Sequence, residues 1–375
     1  MWGRVFVLFR KELRQVWREP RARVLLVGPP LLQLIIFGYA VNLDVQDARV
    51  GWLDRDRTAA SRELRAAFEG SPYLRIVREI QRDEEAETLL DQGRVEAVVQ
   101  ISPGFETDLK RGRQAAVQVL LDGTNSNTAA IVGAYFAEVI SRYSTDRLRA
   151  RLREQGLTAQ PEGVVLRSRV WFNENLASRD YFVPGVVVNI IGLVTVMLTA
   201  MAIVREKELG TMEQLMVSPL RPVEIMLGKT LPFALIGIGE VALVTSAALM
   251  VFGIPFRGKP WFLLICAVLF LLTTLGAGLL ISTLSGTQQQ AMMGSFFFFL
   301  PTFMLSGFAF PIRNMPEVVQ WLTLVNPVRY FIEIVRGIFL KGIGPEVLWP
   351  QMLAMTLFGV GMLTFSSLRF HKRLD

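Results

Sequence analysis

The sequence predicts an α-helical membrane protein with six transmembrane helices and an inserted α/β domain. Three observations predict it. Of 375 residues, 51% are hydrophobic, and they come in long blocks rather than in the dispersed pattern of a large soluble core. Residues 44–180 interrupt these blocks with 20 basic and 22 acidic side chains, whereas the remainder carries 20 and 11, so the basic surplus lies beside the apolar blocks. Within the interruption, strand-like and helix-like runs alternate, as in a layered α/β domain. The surplus reads as loop charge under the positive-inside rule, not as a nucleic-acid footprint. Cys266, the single cysteine, lies inside an apolar block, which excludes disulfides and Cys-rich metal sites within the chain. The only histidine, His371, sits in a basic tail and reads as solvated.

In chain order, residues 1–23 hold an amphipathic helix. Trp2, Val5, Phe6, Phe9, Leu13, Val16 and Trp17 share one face, and Arg4, Arg10, Lys11, Arg14 and Arg18 the other, which describes a helix lying in the membrane interface. Pro20 ends it. The uncharged run 24–43 is about 30 Å long as a helix, enough to span, and too long for the core of a signal peptide. In the inserted domain the strand-like runs are 48–53, 73–80, 95–101, 116–121 and 164–172. Helix-like runs cover 58–69, 83–92, 105–111 and roughly 128–155, with Asp122-Gly123 as a turn. No metal cluster, nucleophile–base pair or phosphate loop stands out there. Five further spans are expected at 181–204, 230–253, 261–283, 291–310 and 347–368. Pro301 marks a kink site.

Between the last two spans, 311–346 is apolar but too short to cross. Asn326 and Pro327 cap and open a helix whose Phe331, Ile334, Val335, Ile338 and Phe339 share a face, with Arg329, Glu333 and Arg336 opposite. Six spans put both termini on one side. The short segments of that side hold 14 Lys/Arg against six in the opposite short loops, so both termini are expected in the cytoplasm and 44–180 outside it.

The segment 205–229 is the most patterned polar stretch among the spans. Thr211 and Gln214 form a T-x-x-Q capping box, after which Met212, Leu215 and Met216 fall on one face and Glu213 and Gln214 face away. A docking surface and a loop resting on lipid headgroups both fit this pattern. Gly228-Lys229-Thr230 imitates the end of a P-loop but lacks the earlier glycine and a preceding strand. Leu284-Ser285-Gly286-Thr287-Gln288 imitates an ATPase signature, yet the chain has nowhere to put a nucleotide fold. Glu240 lies ten residues inside its span, near mid-bilayer. An acid there is expected to face the bundle or a water path, or to be hydrogen-bonded to a neighbouring helix. Gln33, Asn189, Thr195, Thr199, Thr273 and Thr274 read as contacts between helices.

Four motifs, REKELGTMEQLMVSPLRPVEIMLGK, STLSGTQQQAMM, MLSGFAFPIRNMP and VNPVRYFIEIVRGIFLKG, occur in order on the expected sides. Together they resemble the membrane subunit of type-2 ABC exporters, in the bacterial branch with a large extracytoplasmic domain after the first span. LDGTNSN at 121–127 resembles a recurrent stretch of that domain. The resemblance implies that residues 2–19 are the family's interfacial elbow helix. It places Glu206, Glu208, Gly210, Thr211, Glu213 and Gln214 in the coupling segment, with the Met212/Leu215/Met216 face docking into a separate cytoplasmic ATPase. Asn326, Pro327, Arg329, Glu333 and Arg336 then belong to short extracytoplasmic helices at the outer mouth.

ATP and Mg would sit on the partner ATPase, and the chain itself is expected to be no enzyme and to bind no cofactor or metal. Two permeases, identical or paralogous, pair with two ATPases in this family, often with a periplasmic membrane-fusion adaptor. The function implied is efflux of an amphipathic or hydrophobic, drug-like or lipid-like substrate across the bacterial inner membrane, in contact with membrane lipid. Two rivals follow from the residues: a proton-coupled secondary transporter with Glu240 as relay, and a membrane sensor with an extracytoplasmic ligand domain. The sensor lacks a soluble signalling domain after the second span, where four more spans follow instead.

Overall fold

The computed structural model describes residues 2–18, 20–40, 45, 47–154, 171–173, 177–210 and 222–369. The chain divides into two compact units, Leu43–Ser168 and the remainder. It opens with α1 (Trp2–Arg18) and α2 (Pro20–Ala40). The inserted unit then runs β1 (Ala48–Asp54), α3 (Ala59–Glu69), β2 (Leu74–Glu79), α4 (Asp83–Asp91), β3 (Ala97–Ile101), α5 (Phe105–Lys110), β4 (Val117–Leu121) and α6 (Ser126–Glu154). Each run expected from the sequence up to residue 155 is present, with its ends displaced by at most two residues. The expected strand at 164–172 lies largely outside the described residues.

The four strands order as β2-β1-β3-β4, with β1 parallel to β2 and β3, and β3 antiparallel to β4. Alternation along the strands sends side chains to both faces. Val50 and Trp52 of β1 meet Leu64 and Phe68 of α3 and Phe136 of α6, while Leu53 and Val98 meet Ala86 and Leu89 of α4. The result is three layers. Asp56, just after β1, ties the sheet to α5: it accepts the backbone amides of Gly104 at 2.8 Å and Glu106 at 3.0 Å, and the Thr58 hydroxyl at 2.6 Å. Burial works to raise the Asp56 pKa, but the Thr58 hydroxyl and these amides outweigh it and hold the carboxyl below the usual aspartate value.

The second unit continues with α7 (Ser178–Glu208), α8 (Pro222–Phe252), α9 (Pro260–Leu284) and α10 (Gln288–Met304). A 3-10 turn (Ile312–Asn314), α11 (Glu317–Thr323), α12 (Pro327–Arg336), a widened turn over Gly337–Lys341 and α13 (Pro345–Arg369) complete it. Among the described residues, four helices are long and apolar enough to cross a membrane: Ser178–Glu208, Glu224–Phe252, Pro260–Leu284 and Pro345–Arg369. The apolar part of α2, Leu26–Ala40, and α10, with 17 residues, are shorter. α10 stops six residues before the expected end of its span. The Leu305 amide closes back on the Pro301 carbonyl at 2.9 Å, and Gly307, at φ 78°, turns the chain out of the helix.

α7 is the central helix, with α2, α8, α9, α10 and α12 all packed on it. Its crossing with α9 is close: a Cβ at Gly278 would stand 2.7 Å from Thr199 Cβ and 2.8 Å from the Val196 carbonyl oxygen. Three of the polar residues expected to join helices bond within their own helix instead, while Asn189 Oδ1 and the Thr195 hydroxyl have no partner among the described residues. Asn189 Nδ2 donates to Gly185 O, Thr199 to Thr195 O and Thr274 to Leu271 O, each within its own helix. The links between helices come from Thr273, which reaches Met355 O at 3.4 Å, and Ser366, which reaches Gly276 O at 2.8 Å.

Candidate functional site

At the start of the chain, α1 lies along the first turns of α8. Arg4 pairs with Glu224 at 4.0 Å, Leu8 covers Gly228, and Glu12 pairs with Lys229 at 3.5 Å, so the two helices run in the same direction. The face expected from the sequence is divided in two. Val5, Leu8 and Glu12 are buried against the protein, whereas Trp2, Phe6 and Trp17 point away from it. Glu12 can occupy the buried stripe because cations await it there.

Those cations form a cluster that the sequence reading missed. Lys11 donates to Glu206 at 2.8 Å; Lys229 lies 3.3 Å from Glu206 and 3.5 Å from Glu12. Glu12, Glu206 and Lys229 are buried. Burial alone would lower the Lys11 pKa, but the hydrogen bond and charge of Glu206, with Glu12 adding to them, leave it above the usual lysine value. A legible signal existed: an acid at position 12, in helical register with Val5 and Leu8, needs a buried cation.

Glu206 stands near the end of α7 and Lys229 near the start of α8. The cluster therefore clamps both sides of the intervening polar segment to α1. Gly210 ends α7 with φ 69°, the left-handed conformation that suits glycine just beyond a helix C-terminus. Lys207 donates to the carbonyls of Ser282 and Ser285 at the end of α9, at 2.7 and 3.3 Å. Glu208 accepts the Gln288 amide at 2.8 Å and also the Gln288 side chain, at the start of α10. Thr287 caps α10 by accepting the Gln290 amide. The Leu284–Gln288 stretch thus serves as the turn between α9 and α10, joined to the end of α7. Thr211, Met212, Glu213, Gln214, Leu215 and Met216 lie outside the described residues.

At the other end of α7, α12 is sunk among α7, α9 and α13. Asn326 accepts the Val328 amide at 3.0 Å as N-cap and donates to the Thr302 carbonyl at 2.6 Å, with Pro327 in the first turn. Phe331, Ile334, Val335, Ile338 and Phe339 are all buried, and Phe331 stacks on Phe270 at 4.2 Å. Arg329 pairs with Glu333 at 3.6 Å and donates to Thr323, while Glu333 accepts from Gln351. Arg336 does not join that polar row. Its guanidinium lies 3.7 Å from the ring centroid of Tyr181 and donates to the carbonyls of Tyr181 and Gly307, pinning α12 to the start of α7 and the chain after α10. Glu240 sits apart from both ends. It is buried and lines an apolar cleft of about 530 Å³ between α1, α2 and α8.

A central apolar helix, clamped at one end by buried ion pairs and at the other by a short inserted helix, and four helices long and apolar enough to cross a membrane among the described residues, describe a helical membrane protein. The chain belongs to the ABC-2 family transporter proteins, whose pattern it matches over residues 25–368. It is 33% identical over 352 residues to the probable multidrug ABC transporter permease YbhR of Escherichia coli, covering 94% of each chain. To the probable multidrug ABC transporter permease YbhS of the same organism it is 34% identical over 376 residues, covering 100% of this chain and 98% of that one. The inner membrane transport permease YhhJ of Escherichia coli is 29% identical over 385 residues, covering 99% and 97%.

Proposed function

We propose that the chain is the permease subunit of an ATP-driven exporter in the bacterial inner membrane, moving amphipathic or hydrophobic compounds. α2 and α10 complete six spans with the four long apolar helices, both termini are cytoplasmic, and residues 44–180 stand outside. A separate cytoplasmic ATPase binds ATP and Mg and docks on Glu208, Gly210 and the 211–216 face, whereas Glu206, expected from the sequence to take part, is buried in the ionic cluster behind them. Two such permeases pair, and a periplasmic adaptor extends the path. The multidrug relatives support the substrate class.

The observation that carries this reading is the Lys11/Glu12/Glu206/Lys229 cluster. It joins α1, the end of α7 and the start of α8 through buried charges, so a force on the segment between α7 and α8 reaches three helices together. Tilting those helices changes which side the path opens to, provided that the ATPase binds the two states differently. Outside the spans, Thr211→Ala removes the cap that the sequence leads one to expect and Leu215→Asp places a charge in the proposed apolar contact. The double variant is expected to insert and dimerise normally, to co-purify poorly with the ATPase and to lose ATP-driven export. Wild-type recovery of the ATPase with intact export would refute the docking role. Transport driven by a proton gradient without any ATPase would favour secondary transport instead.

A further inference from the structure

An open groove of about 820 Å³ runs between α1 and the end of α7, and its charge has one sign. Five cations line it: Arg10, Lys11, Arg14, Arg18 and Arg205. No carboxylate belongs to this lining among the described residues. Arg10, Lys11, Arg14 and Arg18 are exposed and Arg205 is half-buried, so the charge faces outward rather than into the packed helices. Lys11 already has the buried Glu206 at 2.8 Å. Arg10, Arg14 and Arg18 stand four residues apart on α1, a spacing at which like charges destabilise a helix. An anion lying along the row removes that repulsion.

Arg205 brings the same charge from a different element. It is the first charged residue after the uncharged run 181–204 of α7, so it stands where an apolar helix leaves hydrocarbon and lipid phosphates lie. Beside the arginine row, α1 exposes Phe6, one turn before Arg10, and Trp17, three residues after Arg14, at 63% and 71%. Such rings sit at the boundary between headgroups and acyl chains. Guanidinium groups match phosphate oxygens with two parallel hydrogen bonds each, which an ammonium does not.

We propose that this groove binds an anionic phospholipid, its phosphate among Arg10, Arg14, Arg18 and Arg205 and its acyl chains along Phe6 and Trp17. An all-cationic lining at the membrane surface selects the ligand. A zwitterionic lipid also carries a phosphate, but its own ammonium cancels the charge that the groove attracts. The bound phosphate bridges α1 to α7 beside the Lys11–Glu206 pair, and so steadies the helix held to the segment that follows α7. The site requires α1 to lie at the membrane surface and does not depend on the export reading.

The full-length chain in neutral detergent tests it, with bound lipid counted by native mass spectrometry during titration with phosphatidylglycerol or phosphatidylcholine. The wild type is expected to bind phosphatidylglycerol at least about tenfold more tightly. The triple variant Arg10→Gln, Arg14→Gln, Arg18→Gln should bring the two lipids to equal affinity. Removing three exposed cations elsewhere in the helical unit, by Arg257→Gln, Lys259→Gln and Arg313→Gln, should leave the preference intact. Equal affinities in the wild type, or the same loss in both triple variants, would overturn the site. Arg205→Gln alone should also weaken phosphatidylglycerol, and no change there would overturn the bridge to α7. Displacement of the lipid by an equal concentration of inorganic phosphate would make this a free-anion site instead. An undiminished lipid preference in the α1 variant, with recovery of the ATPase lost, would give the groove to a protein partner and refute the lipid. If the glutamine variant fails to fold, the corresponding Arg→Lys triple variant decides. It keeps the charge without the paired donors, so phosphatidylglycerol affinity should fall while the preference remains; an unchanged affinity would overturn the role of the arginines.

Discussion

Lys229 stands between two buried carboxylates, and its removal takes a buried cation away from both Glu12 and Glu206, leaving the half-exposed Lys11 beside them. Breaking a buried pair from one side is worse than replacing it altogether, because an uncompensated charge remains. Lys229→Ala is therefore expected to destabilise the helical unit by on the order of 3 kcal/mol, read as a lower melting temperature of the purified protein. Combining it with Glu206→Gln should recover part of the loss; a double variant as unstable as the sum would show that the residues do not interact. Asp56 offers a second test at this scale. Its folded pKa is depressed, so its contribution is fully present above the ordinary aspartate value near 3.9 and is lost as pH falls through the lower folded value. Acid titration of a fragment covering residues 43–168 should show this loss below about pH 4. Asp56→Asn should flatten that part of the stability profile, and an unchanged profile would remove Asp56 from the account.

Among the elements, α12 depends on its cap more than its ten residues suggest. The Asn326 side chain accepts one amide of its own helix and donates to Thr302 of α10, so one residue sets both the start of α12 and its seat. Asn326→Ala should cost about 1–2 kcal/mol, measured by thermal unfolding in detergent. Asn326→Asp keeps the capping oxygen but loses the donor to Thr302, and should fall between the two. If Asp matched the wild type, the link to α10 would count for nothing. Existence and order of the elements were readable because periods of 2 and 3.6 survive in the local sequence. The end of α10 was less so: the apolar run continues to Phe310 and hides the local stop signal of Gly307, which takes a left-handed φ ahead of Pro311 and the 3-10 segment.

On the scale of the whole molecule, the proposed topology makes a test of accessibility. Ser61, though inside the proposed outer domain, is buried and hydrogen-bonded to Asp54, so a cysteine there would be poorly labelled. Ser141 on α6 and Gln289 at the start of α10 are exposed. With Cys266 replaced by Ser, an impermeant thiol reagent added to intact cells should label Ser141→Cys and spare Gln289→Cys until the membrane is opened. Labelling of both from outside would contradict six spans with cytoplasmic termini.

By itself, the sequence determined what short-range rules encode: where apolar runs are long enough to span, where strands alternate with helices, and that Asn326-Pro327 opens a helix. It also marked Glu240 as an acid in the wrong solvent. Tertiary structure alone decided partnership. Lys11, Glu12, Glu206 and Lys229 meet across separations of up to 217 residues, and no local pattern ranks one distant cation above another. Arg336 looked like a member of a polar row with Arg329 and Glu333, yet it turns to Tyr181 and Gly307, because α12 is sunk into the bundle and that side is no longer solvent. Among the described residues, Glu240 is left without a partner for the same reason. Burial and pairing depend on which helix faces which, and only packing of the folded chain fixes that.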